Sequence, residues 1–387
     1  MKTIEAFKEY VSSVEAKDNY SRPVAFGIGV RKRKGDTTLE VFFPFINYEG
    51  SYGTAAVLQD VLGYDGNSNG YATASQVQIN DALYKFEAFK GDGKVHQNIE
   101  LLESLSAGLE ALHTASYHTI DVIAYFLFDK DQPVATAEEG YFKTQCLSQL
   151  HVKPHEINVN GIFGKMNNVA WTNKGPIIPE DIAKERIKWT FIGEELIVSH
   201  VDKFPYMVNF HVPHGVRIVS GSQVRLGAYL SPGTTVMPAG YINFNAGTLG
   251  NAMVEGRISG GVVVGKDSDL GGGASIMGTL SGGNKNVISI GEKCLLGANA
   301  GTGISLGDGC TIAAGVYVTA AAKVSLYNKD KQAINLEGNI VAEGENIVKG
   351  HELDGRPYLL YLLDSQTGKL IVRPNSKVIE LNESLHV

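Results

Sequence analysis

Between residues 224 and 324 apolar side chains return every six positions. The first run is Val224, Leu230, Val236, Ile242, Thr248 and Val254; after a break of phase come Val264, Leu270 and Ile276. The beat resumes at Ile290, Leu296 and Thr302, and again at Leu306, Ile312, Val318 and Val324. Small residues often follow directly, as in Val264-Gly265, Leu270-Gly271 and Leu296-Gly297. A period of six suits neither an amphipathic helix nor an alternating strand. It predicts the hexapeptide repeat of a left-handed parallel β-helix, three hexads to a triangular coil, with the aliphatic residue inward and small residues at the corners. The polar stretch 277–287, MGTLSGGNKNV, breaks the phase and is expected to leave the helix as a loop carrying Lys285.

Before the repeat the pattern changes type. Ile4, Phe7, Tyr10, Val11 and Val14 fall at helical spacing, with Thr3 as N-cap. Residues 23–47 read as two strands about the turn Lys34-Gly35-Asp36, and 50–72 as loop with some helix. Ile99, Leu102, Leu105, Leu109 and Leu112 form one stripe of a helix over 97–114, and 119–128 reads as a buried strand. A second helix is expected over 180–190, after Pro179. After Val324 the hexad beat stops, and strands are expected at 328–336, 356–365 and 369–381, covering the open end of the β-helix. The expected organisation is an N-terminal α/β domain over 1–205, the β-helix over 206–326 and a small C-terminal β cap over 327–387.

Composition narrows the function classes. Of 45 glycines, 23 lie in 221–320, so they belong to the repeat and not to a linker. The net charge is −7, and the only dense basic run is Arg31-Lys32-Arg33-Lys34 at a strand end. Nucleic acid and anionic membranes are therefore not expected as partners. Cys146, Cys294 and Cys310 show no metal-type spacing, and no apolar run reaches spanning length. These features predict a cytoplasmic protein.

Flat β-helix walls place sites where neighbouring prisms meet, and a triangular prism packs about a threefold axis. By analogy of fold, the expected chemistry is acyl transfer from a coenzyme A thioester. No histidine occurs between His214 and His351, so no coil can supply a histidine base or a three-histidine zinc site. Among the carboxylates of the repeat, Asp267, Asp269, Glu292 and Asp308 sit beside glycine turns and read as solvated corners. Glu255 lies instead in MVEGR, and strand alternation predicts that it and Arg257 share one side of a wall. It could take the proton of an attacking amine, attack first to form an acyl anhydride, or simply pair with Arg257 at the surface.

The run from FNAGTLGNAMVEGRIS through GGGASIMGTLSGG to GDGCTIAAGVYVT resembles the tetrahydrodipicolinate N-succinyltransferases of the diaminopimelate route to lysine, in the longer form of actinobacteria and pseudomonads. The likeness is dense over about 160–325, patchy toward the C-terminus and weak over 1–150. It implies a homotrimer that moves a succinyl group from succinyl-CoA to the amine of ring-opened tetrahydrodipicolinate. It implies Glu255 as the catalytic carboxylate and Arg257 as partner of a substrate or succinyl carboxylate. Gly272 and Ser275 would line the thioester, Ala298, Ala313 and Ala314 the pantetheine groove, and Lys349 the CoA phosphates. Asn243 and Asn245 are lesser candidates for orienting the dicarboxylate. Some relatives hold a divalent cation through acidic residues where this chain has Ser222 and Ala239, so no metal is expected. The alternatives are a CoA-dependent acyltransferase acting on an amino sugar, and a non-catalytic trimeric scaffold.

Overall fold

The computed structural model describes residues 1–90, 96–112, 117–282 and 285–376. It divides into two compact units, Met1–Cys146 with Glu156–Pro205, and Leu147–His155 with Tyr206–Val387. Among the described residues no helix is long and apolar enough to cross a membrane.

The first unit is built on an antiparallel sheet. Strands β1 (Ala25–Lys34) and β2 (Thr37–Phe42) form the expected hairpin about Gly35, whose φ of +58° suits glycine. β3 (Asn47–Tyr48) pairs with β1, while β4 (Gly70–Ala74) and β5 (Thr119–Leu127) complete the order β2-β1-β5-β4. Helix α1 (Ile4–Glu15) starts at Thr3, whose hydroxyl accepts from the Ala6 amide. The stretch 50–72, read mainly as loop, contains α2 (Tyr52–Leu62) and the start of β4. α3 (Gln76–Lys85) and α4 (Gln97–Glu110) follow; the α4 stripe is buried at Ile99, Leu102 and Leu105, and Leu112 beyond it is 40% exposed. From Val122 to Leu127 β5 is apolar because both its faces are covered. Val122, Ala124 and Phe126 join the helical core with Phe7, Leu58 and Ile79, while Tyr125 packs against Phe142 on the other side.

Phe142 belongs to a helix that the hydrophobic pattern did not reveal, α5 (Ala137–Ser148). It is buried from Glu138 onward, polar residues included. Each charge has partners. Lys143 Nζ donates to the Gln132 and Asn158 carbonyls and pairs with Glu139 at 3.0 Å. Glu138 accepts from Thr38 and Arg31, and Arg31 and Arg33 both pair with Asp121. Beyond α5 lie the short helix α6 (Ile162–Lys165), the three-stranded sheet β6 (Val169–Thr172), β7 (Gly175–Ile177) and β8 (Val198–Asp202), and the expected helix α7 (Ile182–Phe191), which a single turn at Pro179–Asp181 introduces.

The second unit is the left-handed parallel β-helix. Every hexad residue named above is buried, from Val224 at 0% to Ile290 at 3% exposure. The rows stack in register into three walls. Ile218, Val236, Val254, Leu270, Leu296 and Ile312 line the first. Val224, Ile242, Ile258, Ile276, Thr302 and Val318 line the second. Leu230, Thr248, Val264, Ile290 and Leu306 line the third. The two threonines in these rows satisfy their hydroxyls internally, Thr248 with Thr234 at 2.6 Å and Thr302 with the Ile304 carbonyl at 2.6 Å. Cys294 and Cys310 are buried fillers, and burial pushes the Cys294 thiol up to about 12.

The loop at 277–287 leaves the second wall as expected. It folds back on the stack: Ser281 donates its amide to the Gly303 carbonyl, and its hydroxyl accepts from the Ala320 amide. Beyond Val324 the cap differs from expectation in two elements: Ile347–Lys349 adds a strand antiparallel to Lys323–Leu326, and one expected strand is missing. Residues 328–336 form turns with isolated bridges, not a strand. Leu359–Leu363 and Leu370–Pro374 do form the expected hairpin. Its first strand extends the first wall, setting Tyr361 beside Ile312 and so covering that row's last rung. The predicted strand residues beyond 376 lie outside the described residues.

Candidate active site

The break of phase after Val254 has a structural meaning. Successive coils turn from the first wall to the second through four residues: Met237–Gly240, Gly271–Ala274, Gly297–Ala300 and Ala313–Val316. On one coil the strand Ala252–Val254 is followed by Arg257–Ile258, so only Glu255 and Gly256 make the turn. This shortened corner draws the backbone in tightly. A Cβ on Gly256 would fall 2.3 Å from the Ala274 carbonyl oxygen, so glycine is required there.

Glu255 therefore occupies a corner, not a wall. The expectation that it shares one side of a wall with Arg257 fails, because the chain bends between them. The two make no ion pair: Arg257 is exposed and donates Nε to Ser275 Oγ at 2.8 Å. The Glu255 carboxylate is half-buried and has no hydrogen-bond or ionic partner among the described residues. Its Oε2 stands over the next coil, 3.7 Å from where a Cβ on Gly272 would lie. The backbone beneath is fixed, since Gly273 N–H donates to the Glu255 carbonyl at 3.0 Å and Asn299 N–H to the Gly272 carbonyl at 2.9 Å.

Below Gly272 the same corner continues through Ala298 and then Ala313-Ala314. Gly271 and Gly297 are closely overlain there: a Cβ on Gly297 would lie 2.5 Å from the Ala314 amide nitrogen. Gly272, Ala298, Ala313 and Ala314 thus share one stack of narrow corners, with Ala298 and Ala314 exposed. Ser275 opens the adjoining wall, beside Arg257. Lys349 is placed differently. It lies exposed on a cap strand, opposite Lys323, and its amide donates to Glu352 at 2.7 Å. The structure thus brings Glu255, Gly272 and the alanines onto one edge, with Arg257 and Ser275 on the wall beside it, and leaves Lys349 on the cap.

The other polar candidates divide. Asn245 has φ +51° and accepts from the His155 amide, the signature of a corner residue. Asn243 accepts from Arg225 at 3.1 Å. Asp267, Glu292 and Asp308 lie at turns as expected. Asp269 does not: it sits in a strand of the first wall and accepts from the Met253 amide at 2.9 Å. Ser222 is exposed and bonded to Ser220, and Ala239 is exposed. No group of three or more potential metal ligands is assembled among the described residues.

A stacked β-helix with one shortened, carboxylate-bearing corner defines a protein of the hexapeptide-repeat class, and comparison with known proteins narrows it. The N-terminal model of the tetrahydrodipicolinate N-succinyltransferases matches residues 5–164, their middle model 166–206, and the hexapeptide repeat of succinyl-transferases 287–320. The 2,3,4,5-tetrahydropyridine-2,6-dicarboxylate N-succinyltransferase of Vibrio cholerae is 44% identical over 92% of this chain and 96% of its own length. That of Pseudomonas aeruginosa is 42% identical, over 94% and 97%. A solved Campylobacter jejuni structure, assigned as a 2,3,4,5-tetrahydropyridine-2-carboxylate N-succinyltransferase, superposes with a TM-score of 0.86 at 36% identity, covering 98% of this chain and 99% of that one. This chain belongs to the tetrahydrodipicolinate N-succinyltransferase family. The relationship includes residues 5–164, where the motifs alone showed only weak likeness.

Proposed function

We propose that this protein transfers the succinyl group of succinyl-CoA to the amine of tetrahydrodipicolinate in its ring-opened form, 2-amino-6-oxopimelate, in the diaminopimelate route to lysine. The observation that carries this reading is the unpartnered Glu255 carboxylate standing over Gly272 in the shortened corner. An amine attacking a thioester must lose a proton, and a carboxylate free of internal partners can accept it. The C–S bond then breaks, the amide forms, and the proton passes to the departing CoA thiolate. In the covalent variant Glu255 attacks first, expels the thiolate and holds the succinyl group as an anhydride until the amine takes it.

In this reading the stacked corners at Gly272, Ala298, Ala313 and Ala314 face the pantetheine arm. Small side chains there let an extended ligand lie close to the backbone. Arg257 offers its free guanidinium nitrogens to a carboxylate, and Lys349 on the cap offers charge to the CoA phosphates. The wall of a second copy closes the groove, in a homotrimer. The free thiols of Cys146, Cys294 and Cys310 fit a cytoplasmic setting.

The test is release of CoA thiol by the purified protein. We expect release that requires succinyl-CoA and tetrahydrodipicolinate together, with acetyl-CoA a poor donor. No release with either donor would remove the assignment and favour a scaffold. Mass spectrometry of the chain after acid quench with donor alone separates the two mechanisms: a succinylated protein marks attack by Glu255, and an unmodified one marks proton transfer.

A further inference from the structure

Helix α2 buries an unbroken run, Thr54–Gln59, and the run ends on an amide side chain. Gln59 is 3% exposed. Its Nε2 donates to the Ser21 carbonyl at 3.1 Å, but its Oε1 has no partner among the described residues. The hydroxyl of Tyr20 is also buried without a partner there. It stands on the turn that follows α1, where the Tyr20 amide donates to the Lys17 carbonyl. Buried polar groups are nearly always paired, because leaving one unmet costs free energy.

Both residues line a cavity of about 200 Å³ at the C-terminal ends of α1 and α2. One water molecule takes about 30 Å³ in the liquid, so a ligand of several heavy atoms has room. The cavity is rich in acceptors. The carbonyl end of a helix carries partial negative charge, and neither helix has a basic residue in its last turn. Lys17, the cation on the lining, is committed to Asp60, which also accepts from Tyr10. Asp65, on the same lining, is exposed and unpaired among the described residues. Val14, 3% exposed, and the Tyr20 ring supply apolar surface. The two unmet oxygens are sealed from solvent, and Tyr20, half-buried on its turn, is the side chain that swings to admit a donor.

We propose that this cavity binds a small organic cation through its primary ammonium group, with Gln59 Oε1, the Tyr20 oxygen and the Asp65 carboxylate as acceptors. A glutamine oxygen only accepts. An ammonium brings three N–H donors and the charge that the helix ends and Asp65 favour. The carbon chain behind it lies against Val14 and the tyrosine ring. The site belongs wholly to the α/β unit and stands independently of the reaction proposed above.

The compound n-butylammonium chloride carries the ammonium and a short chain but no carboxylate. Titrated calorimetrically into the full-length protein, it is expected to bind saturably, whereas n-butanol and potassium chloride at the same concentrations are not. Gln59→Leu is expected to weaken binding about tenfold, the fold-change of one hydrogen bond to a charged group. Tyr20→Phe removes a single acceptor and is expected to weaken binding severalfold, which keeps the test decisive if Gln59→Leu does not fold. Without ligand, Tyr20→Phe should melt no lower than wild type, since the hydroxyl makes no bond within the chain; a lower value would overturn the unmet hydroxyl. No saturable heat with n-butylammonium, or binding unchanged in a folded variant of either residue, overturns the proposal and leaves bound water as the partner of both oxygens. Equal binding of n-butanol overturns the ammonium, and equal binding of potassium overturns the organic cation in favour of a metal-ion site.

Discussion

Gly256 and Gly272 flank the same carboxylate, yet they fail differently when a methyl is added. At Gly256 the new Cβ meets backbone, the Ala274 carbonyl oxygen at 2.3 Å, and nothing there can rotate away. Gly256→Ala is expected to destabilise the protein by about 2 kcal/mol, read from the midpoint of urea unfolding, and to displace Glu255. At Gly272 the new Cβ meets only Glu255 Oε2, at an ordinary contact distance of 3.7 Å. Gly272→Ala should hold its stability within about 0.5 kcal/mol and lose turnover, because the methyl occupies the space in front of Glu255 Oε2, the oxygen proposed to react. Equal stability losses in the two variants would contradict the tight corner. Glu255 itself was singled out in the sequence as the carboxylate of MVEGR, although the contrast drawn there fails: Glu255 sits in a corner beside Gly256, and it is Asp269 that lies in a strand. Its surroundings were less legible. Alternation within a strand placed Arg257 beside it, and only the missing two residues of the corner separate them.

Among the elements, the six-residue rows were fully readable, because a buried aliphatic at fixed phase is what each coil needs to stack on the next. Even the phase break was informative, since it coincides with the shortened corner. Helix α5 was invisible for the opposite reason. A helix whose buried face carries Glu138, Glu139, Lys143 and Gln145 has no apolar stripe, and its burial depends on partners distant in sequence. The network around it predicts acid sensitivity. Burial alone would raise the Asp121 carboxyl, but hydrogen bonds from Arg33 and Arg31 outweigh it and hold it below the usual carboxylate range. The stability this adds is present above the unfolded value of about 3.9 and is lost as pH falls through the lower folded value. Melting temperature should therefore decline below about pH 4. Asp121→Asn should melt lower than wild type at neutral pH and show a flatter acid decline; an unchanged slope would contradict the pairing.

At the scale of the molecule, the two units account for different parts of the family relationship. The β-helix carries the long motifs and the corner with Glu255. The α/β unit matches the family's own N-terminal and middle regions but shows no catalytic constellation in its sequence. The C-terminal hairpin continues the first wall, so the cap is an extension of the helix and not a separate layer. The measurement that bears most directly on the whole is the rate of CoA thiol release by Glu255→Ala beside wild type, with succinyl-CoA and tetrahydrodipicolinate and with assembly mass followed by light scattering. Glu255 as the reacting carboxylate predicts an unchanged assembly mass and a rate lower by roughly two to four orders of magnitude. A variant of the same mass that turns over at the wild-type rate would contradict it.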